Sequence, residues 1–99
     1  MNIIDYQTVE DFFKKHNQGK SQVLAIYNTL KSRNFKSVKE ITALFPRSSL
    51  VKGTKDLIVF RFKGNDYRMV IKFTFQFNIG IIEFVNTHAE YDKYMKKLK

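Results

Sequence analysis

The stretch that decides the fold is residues 57–75, with the sequence LIVFRFKGNDYRMVIKFTF. Two runs rich in β-branched and aromatic residues, Leu57–Lys63 and Tyr67–Phe75, lie on either side of Gly64-Asn65. Glycine and asparagine tolerate the positive φ angles that tight hairpin turns demand. The pattern therefore predicts two antiparallel strands joined by a short turn.

Residues along each of these strands alternate between the two faces of the predicted sheet. The alternation places Arg61 and Lys63 of the first strand on the same face as Arg68 and Lys72 of the second. The opposite face is almost entirely apolar, and we expect it to pack against helices. Its residues are Ile58, Phe60, Phe62, Tyr67, Met69, Ile71 and Phe73. The cationic face is a candidate anion-binding surface.

An alternative interpretation is that these cations simply solvate the exposed face of a half-buried sheet. For the two cations of the first strand, both interpretations have equal weight. For the two cations of the second strand an anion-binding role is favoured, because unpaired like charges on neighbouring strands destabilise a sheet. The acids that occur nearby, Asp56 and Asp66, lie at strand ends.

The segments after the hairpin predict a third strand and a C-terminal helix. Ile79–Val85 continues the β pattern after a turn near residues 77–78, and Ala89–Lys99 has the spacing of an amphipathic helix with lysines outside. The residues predicted for the inner side of this helix are Tyr91, Tyr94 and Leu98.

The N-terminal third predicts a short strand and two helices. Ile3 and Ile4 form an apolar start suited to an edge strand, and Thr8 with Asp11 has the spacing of a capping box that opens a helix. A second helix is predicted over Ser21–Arg33, where apolar residues repeat on one face.

A third helical segment completes the predicted elements. Ser37, with Glu40 three residues later, has the pattern of a cap, and the helix is expected to end before Pro46. The segment Arg47–Asp56 is the least patterned and is a place for one more short strand. Helices followed by antiparallel strands predict the α+β class.

The composition limits the chain to a few classes of protein. Its 99 residues suit one compact domain, residues 1–99, and ten Phe and five Tyr supply a core. Eighteen Lys and Arg against nine Asp and Glu give a net charge of +9, spread over both halves of the chain. Such a charge attracts nucleic acid, an anionic membrane or an acidic protein.

The cysteine and histidine content excludes several kinds of site. Without cysteine there are no disulfides, thiolate metal sites or cysteine nucleophiles, and His16 and His88 cannot build a zinc site alone. The first residues lack the pattern of a signal peptide, and no run approaches the ~18 apolar residues of a membrane span. We therefore expect a soluble intracellular protein.

A second cluster of reactive side chains occurs where the last strand meets the C-terminal helix. Thr87 suits a helix cap, which places His88 in the first turn and Tyr91 on about the same face. A histidine near cations and a helix N-terminus is favoured in its neutral form, which suits a general base. Taken alone, capping by Thr87 and core packing by Tyr91 explain the segment better. His16 lies on an apolar helix stripe, which predicts a structural role.

Two segments of the sequence resemble the HigB-type toxins of the RelE superfamily. They are FRFKGNDYRMV, residues 60–70, and FVNTHAEYDK, residues 84–93. The motif Leu44-Phe45-Pro46 and the two leading helices are also similar to this family, so the resemblance covers nearly the whole chain. Its most specific parts are the Lys-Gly-Asn-x-x-Arg hairpin and the Thr-His-x-Glu-Tyr-Asp segment.

The resemblance implies a fold, an activity and a set of partners. The implied fold is RelE-like, a curved antiparallel sheet with N-terminal helices on one side and a short C-terminal helix. The implied activity is metal-independent, cofactor-free endonucleolytic cleavage of mRNA, typically on the ribosome. The implied protein partner is a HigA-like antitoxin with a helix-turn-helix domain, and the implied location is the cytoplasm. No membrane partner is implied.

Metal-free cleavage has the ribose 2′-hydroxyl attack the adjacent phosphate, and this reaction needs cations and groups that move protons. Given the resemblance, Arg68 is assigned to the scissile phosphate, because a planar guanidinium matches its non-bridging oxygens. Lys72 and Lys63 are assigned as supporting charges, and Arg61 is a weaker candidate.

The remaining roles follow from the same resemblance. His88 is the candidate for proton transfer, and Tyr91 is the candidate for stacking on a base or orienting the phosphate. Both residues also have the structural interpretation given above. Nonspecific contacts with ribosomal RNA are predicted for Lys93, Lys96, Lys97 and Lys99.

Two positions depart from the pattern of the family. Glu83 stands where relatives often carry a basic residue, and Asn86 stands where glycine is common. If Glu83 points toward Arg68 and Lys72, it acts as a base or neutralises part of the phosphate site. These two interpretations remain open.

Two other functions fit the same fold. A module that occupies RNA or the ribosome without cutting would have the same charge, and the proton-transfer candidates His88 and Tyr91 separate it from a nuclease. A gyrase poison of the ParE type would share the scaffold, and the Thr-His-x-Glu-Tyr-Asp segment argues against it. A generic basic partner-binding domain has only the charge in its favour.

Overall fold

The computed structural model of the protein describes residues 1–16 and 18–98, which form a five-stranded sheet and four α-helices. The elements are β1 (Asn2–Ile4), α1 (Gln7–Lys15), α2 (Lys20–Ser32), α3 (Val38–Leu44), β2 (Ser48–Leu50), β3 (Leu57–Phe62), β4 (Tyr67–Thr74), β5 (Ile79–Thr87) and α4 (His88–Lys97). A 3₁₀ turn, Phe75–Phe77, joins β4 to β5. Within the described ranges, no helix has both the length and the apolar character needed to cross a membrane. The predicted α+β class is confirmed.

The strands are arranged in the order β1-β5-β4-β3-β2. Strands β2 to β5 are antiparallel neighbours, whereas β1 lies parallel to β5, with Ile3 opposite Gly80. The prediction of a fully antiparallel sheet is therefore wrong at this edge. Short connections between β2, β3, β4 and β5 favour antiparallel pairing, but β1 and β5 are separated by most of the chain, and so long a connection permits the parallel direction. The short strand predicted within residues 47–56 is confirmed as β2.

Both predicted turns of the sheet are confirmed. In the β3–β4 hairpin the positive φ angles fall on Lys63, at 49°, and Gly64, at 65°, and not on Asn65. In the connection between β4 and β5, Asn78 takes a φ of 58°. Asparagine and glycine adopt this left-handed conformation more readily than other residues, which is why both turns are visible in the sequence.

The main core lies between the sheet and helices α1 to α3. Phe12 of α1, Leu30 of α2 and Ile41 of α3 are buried in one cluster with Phe60 and Phe73 of the sheet. Removing a large apolar side chain from water contributes about 1.5–3 kcal/mol to stability. Because Phe60 and Phe73 belong to this cluster, the predicted apolar face of the hairpin is confirmed as the face that packs on helices.

Helix α4, the C-terminal helix, covers part of the opposite face of the sheet. Tyr91 is buried there with Val59 and Val70, and Tyr94 packs beside them. The two valines lie on the same face of the sheet as Arg61 and Arg68, two residues away from them along each strand. The two valines form an apolar surface on the cationic face, and α4 packs against it. Leu98 is 46% exposed, so its predicted place on the inner side is wrong.

The predicted caps of α3 and α4 are confirmed, whereas that of α1 is wrong. Ser37 Oγ accepts a hydrogen bond of 3.3 Å from the amide three residues later, and Thr87 Oγ1 does the same in α4. Helix α1 begins at Gln7, so Thr8 already lies in its first turn. Asp11 accepts a hydrogen bond of 2.9 Å from the Gln7 side chain instead of closing a capping box.

Gly80 marks the closest approach of β1 and the main core to β5. A β-carbon at this position would lie 3.0 Å from Ile3 Cδ1, 3.1 Å from Phe73 Cε1 and 3.2 Å from Ile71 Cγ2. We expect Gly80→Ala to lower the free energy of unfolding by about 1–3 kcal/mol, the usual effect of overpacking, in equilibrium urea denaturation. The exposed control Gln76→Ala is expected to change it by less than about 0.5 kcal/mol. Equal midpoints for both variants would contradict the prediction.

Candidate active site

Arg61 and Arg68 lie directly opposite each other on β3 and β4, and we call them the arginine pair. Arg61 Nη2 donates a hydrogen bond of 3.0 Å to Ser49 Oγ, and Arg61 Nη1 donates one of 3.4 Å to the carbonyl oxygen of Arg47. Strand β2 and the residue before it therefore fix one guanidinium group of the pair. The pairing register of β3 with β4 brings the two arginines together, on the single face that was predicted for them.

Arg68 lies beneath helix α4. Its Cζ is 5.0 Å from the centroid of the Tyr91 ring, a distance at which a cation is attracted to an aromatic face. Arg68 Nε is buried and has no hydrogen-bond partner among the described residues. The ring thus lies close to the guanidinium group, and Nε remains an unsatisfied donor beneath α4.

The arginine pair concentrates positive charge without an acidic partner. The ion pairs formed within residues 1–16 and 18–98 include neither guanidinium group. Burial lowers the pKa of Arg61, and the positive charges of Arg68 and Arg47 lower it further, while Tyr91 raises it. Neighbouring cations that depress a pKa in this way repel one another. An anion bound between them would relieve that repulsion, which makes the arginine pair a candidate anion-binding site.

Tyr91 is the residue that connects α4 to the arginine pair. It is 9% exposed, and its ring also contacts Phe84, with centroids 6.2 Å apart. Burial raises the pKa of the Tyr91 hydroxyl, although the positive charges of Arg68 and Arg61 act in the opposite direction. The hydroxyl is therefore a neutral hydrogen-bond donor at physiological pH. The core packing predicted for Tyr91 is confirmed, and its ring also lies beside Arg68.

His88 lies at the N-terminus of α4, where its backbone amide donates a hydrogen bond of 2.9 Å to the carbonyl oxygen of Asp66. This bond ties the start of α4 to the turn of the β3–β4 hairpin. The side chain is half exposed, and His88 Nδ1 lies 3.2 Å from Asp92 Oδ2, one helical turn later. Asp92 is a neighbour of His88 that was not predicted from the sequence.

Lys63 does not share the face of Arg61, and this prediction is wrong. Strand β3 ends at Phe62, and the positive φ of Lys63 breaks the alternation on which the prediction was based. Lys63 Nζ lies 3.9 Å from Asp66 Oδ2 and 5.5 Å from the centroid of the Tyr67 ring. Since Tyr67 packs against the main core, Lys63 lies on the side of α1 and α2.

Lys72 lies on the predicted face but far from the arginine pair. It is opposite Leu57 on β3 and Ile81 on β5, four residues along β4 from Arg68. At about 3.3 Å per residue the separation along the strand is roughly 13 Å. Of the four cations predicted for this face, the structure therefore brings Arg61 and Arg68 together, but neither Lys63 nor Lys72 joins them.

The lysines of the C-terminal helix are exposed, as predicted for its outer side. Lys93 Nζ lies 3.3 Å from Glu90 Oε1, and Lys96 and Lys97 lie in the last turn of α4. Lys99, the remaining lysine predicted to contact RNA, lies outside the described residues.

The structure locates the two positions at which the sequence departs from the resemblance. Glu83 sits at a bulge, because the pairing of β5 with β4 passes from Ile82 directly to Phe84. Burial raises the pKa of Tyr94, and the negative charge of Glu83 raises it further, which places this carboxylate beside α4. Asn86, and not Glu83, is the β5 residue opposite Arg68.

Arg47 is a site residue that the sequence did not reveal. Arg47 Nη2 donates hydrogen bonds of 2.6 Å to the carbonyl oxygen of Gly64 and 3.1 Å to Asn65 Oδ1. Arg47 thereby connects the start of β2 to the turn of the hairpin, beside Arg61. The sequence around Arg47 has neither helix nor strand periodicity. The signal that remains in the sequence is a cationic residue directly after Pro46.

Comparisons with known proteins identify the family of the chain. Residues 19–94 match the family model HigB_toxin, described as the RelE-like toxic component of a toxin–antitoxin system. An mRNA interferase toxin HigB of Escherichia coli (strain K12) is 32% identical over 92 residues, 93% of this chain and 88% of that protein. An mRNA interferase HigB of Shigella flexneri gives the same values, and one of Escherichia coli O6:H1 is 25% identical over 94% of this chain and 90% of its own. The resemblance noted in the sequence is confirmed, and the chain belongs to the HigB family of RelE-like toxins of toxin–antitoxin systems.

Proposed function

We propose that this protein is a toxin that cleaves mRNA as an endoribonuclease, and that the arginine pair with Tyr91 forms its active site. The observation that carries the proposal is the pair itself, two half-buried guanidinium groups without a carboxylate partner in the described part of the chain. A phosphodiester would supply the missing negative charge. Support also comes from relatives named mRNA interferases, which match more than nine-tenths of this chain.

In the proposed reaction the ribose 2′-oxygen attacks the adjacent phosphorus and the bond to the 5′-oxygen of the next nucleotide breaks. The products are a 2′,3′-cyclic phosphate and a 5′-hydroxyl end. Negative charge grows on the non-bridging oxygens as the new bond forms, and preorganised donors stabilise that charge most strongly where water is excluded. Arg68, whose guanidinium carbon lies 5.0 Å from the centroid of the Tyr91 ring, would bind these oxygens, and Arg61 would bind the same phosphate from the neighbouring strand.

Two protons move in this reaction, one from the 2′-hydroxyl and one to the leaving 5′-oxygen. His88 is the proposed proton-transfer group. Asp92 Oδ2 lies 3.2 Å from His88 Nδ1, so the carboxylate would accept a hydrogen bond from Nδ1 and leave Nε2 for the RNA. Asp92 would thus be a positioning residue that selects the tautomer and orientation of the imidazole ring.

Tyr91 would contribute through both its ring and its hydroxyl. The ring positions Arg68, and the hydroxyl remains protonated near neutral pH because burial raises its pKa. A neutral hydroxyl beside two cations would donate a hydrogen bond to a phosphate oxygen. Lys72, four residues along β4 from Arg68, and Lys63, which does not share the face of Arg61, would contact other phosphates of the RNA.

The proposed setting of the reaction is the bacterial cytoplasm, on the ribosome. The net charge of +9 would attract ribosomal RNA, with the exposed Lys93, Lys96 and Lys97 as contacts. The proposed inhibitor is a HigA-like antitoxin with a helix-turn-helix domain, since the family is the toxic component of a toxin–antitoxin system.

The test is induced expression in a bacterial host with mapping of new 5′ ends on cellular transcripts. The wild type is compared with the double variant His88→Ala, Tyr91→Phe, in which the phenylalanine ring still stacks on Arg68. We expect the wild type to arrest growth and create new 5′ ends within coding regions. The double variant should lose cleavage by roughly 10²–10⁴-fold, the usual contribution of a general acid or base.

His16→Ala serves as the matched control, because His16 stacks on Phe12, with centroids 4.8 Å apart, outside the candidate site. It should cleave like the wild type at equal protein levels. Growth arrest without new 5′ ends would replace the nuclease proposal with a non-cutting RNA-binding protein or a gyrase poison. Undiminished cleavage by the double variant would refute the roles of His88 and Tyr91.

A further inference from the structure

A cleft of about 370 Å³ opens where β3 extends past the start of β2, and we call it the α2 cleft. Its walls are largely apolar, with Ile26 from α2, Phe45 from the end of α3, and Phe62 from β3. Phe45 is held edge-on against Phe60, with ring centroids 5.4 Å apart. Apolar walls with a few fixed polar groups are the usual composition of a small-molecule site.

The polar groups at the mouth of the cleft are held in defined orientations. Gln22 Oε1 accepts a hydrogen bond from the backbone amide of Lys63, so the Gln22 Nε2 hydrogens remain as donors for a ligand. Arg47 also lines the cleft, and its bonds to Gly64 and Asn65 hold the guanidinium group at the hairpin. Three cationic residues, Arg47, Arg61 and Lys63, contribute to the lining, whereas no carboxylate of the described residues does.

The α2 cleft and the arginine pair are adjacent. Arg61 belongs to both, because it lines the cleft and lies opposite Arg68. The Arg61 guanidinium also donates to the carbonyl oxygen of Arg47, the cation at the cleft mouth. The cleft lies on the face of the sheet that packs against α1 to α3, whereas the Arg61 and Arg68 side chains lie on the face that α4 covers. An RNA strand with one phosphate on the arginine pair would therefore cross the edge of β3 beside Arg47 to place a neighbouring base in the cleft.

We propose that the α2 cleft binds one unstacked RNA base beside the scissile phosphate and thereby sets the base preference of cleavage, an inference that rests on the proposed function. A base has two apolar faces, which match the walls formed by Ile26, Phe45 and Phe62. Its edge carries carbonyl or ring-nitrogen acceptors, which match the Gln22 Nε2 donors, and its phosphate matches Arg47. Single-stranded RNA is recognised through splayed bases of this kind.

The test measures binding separately from cleavage. ¹⁵N-labelled protein is titrated with four 2′-O-methyl trinucleotides, of A, G, C or U, which lack the attacking hydroxyl. We expect one of them to shift the amide signals of Ile26 and Gly64 and to bind roughly 10-fold more tightly than the weakest. Gln22→Glu keeps the acceptor for the Lys63 amide but loses the donors, so it should weaken that preferred binding about 10-fold. The control Asn28→Asp adds the same charge to α2 outside the cleft and should change binding less than about twofold.

Equal binding of all four trinucleotides, or shifts confined to Arg61 and Arg68, would overturn the inference. Absence of shifts at Ile26 would leave the cleft to a protein partner and would overturn it as well. Mapping of 5′ ends supplies the second readout, in which Gln22→Glu should still cut but with a changed base preference. Selective binding together with a wild type that does not cut would refute the proposed function and leave base recognition by the cleft standing.

Discussion

The Arg68→Ala variant is expected to lose RNA cleavage by roughly 10²–10³-fold, the effect of removing one donor to a developing oxyanion. The fold should persist, with the free energy of unfolding changed by less than about 1 kcal/mol. Truncation loses the contact between the guanidinium group and the Tyr91 ring but also removes a buried Nε without a partner in the described chain. The measurement is the rate at which new 5′ ends appear after induction, at equal protein levels.

Two further variants show whether charge or geometry is responsible. Arg33→Ala removes the same charge from the exposed C-terminal end of α2 and should cleave like the wild type. Arg68→Lys keeps the charge but loses the planar fork that matches phosphate oxygens, so it should recover only part of the rate. A fully toxic Arg68→Ala variant would show that the phosphate binds elsewhere.

The Phe73→Ala variant is expected to lose about 3–5 kcal/mol of stability, the cost of deleting a buried aromatic side chain. Phe73 is 2% exposed, stacks on Phe75 at 5.6 Å between centroids and contacts Phe60 in the main core. Domains of this size have a total stability of about 5–15 kcal/mol, so this variant should lose a large share of its stability. Equilibrium urea denaturation gives the free energy directly, provided that the denaturant slope stays constant.

Phe77→Ala is the matched control, since the same side chain is removed four residues later from a position that is 66% exposed. Its free energy of unfolding should change by less than about 0.5 kcal/mol. Similar losses for both variants would contradict the burial of Phe73, and so would a loss below about 1 kcal/mol for Phe73→Ala.

The features of the fold that could be predicted from the sequence are those determined by neighbouring residues. The hairpin could be predicted because its turn needs a residue that tolerates a positive φ, such as Gly64. The caps could be predicted because the hydroxyl groups of Ser37 and Thr87 each accept a hydrogen bond from the backbone amide three residues later. The failures at Thr8 and Lys63 have the same local origin. A difference of one or two residues in where a helix begins or a strand ends changes which residue caps the helix or which side chains share a face of the sheet.

The features that could not be predicted depend on which distant surfaces meet. The apolar side of α4 indicates burial but not which face of the sheet receives it. The direction of β1 beside β5 is likewise a tertiary choice. For the candidate site, alternation predicted that Arg61 and Arg68 share a face, whereas the distance of Lys72 and the placement of Arg47 required the register of whole strands. The bulge at Glu83 is invisible in sequence, because a single unpaired residue leaves no periodic signal.

The parallel pairing of β1 with β5 has a consequence for the order in which the chain folds. It joins Asn2 to Ile79, whereas the hairpin joins Phe62 to Tyr67. Because the entropy lost on closing a loop grows with its length, the distant contact costs about 2 kcal/mol more to form from an open chain. Proteins pair nearby segments before such remote ones. We therefore expect the strands that carry the two arginines to come together early and β1 to dock last.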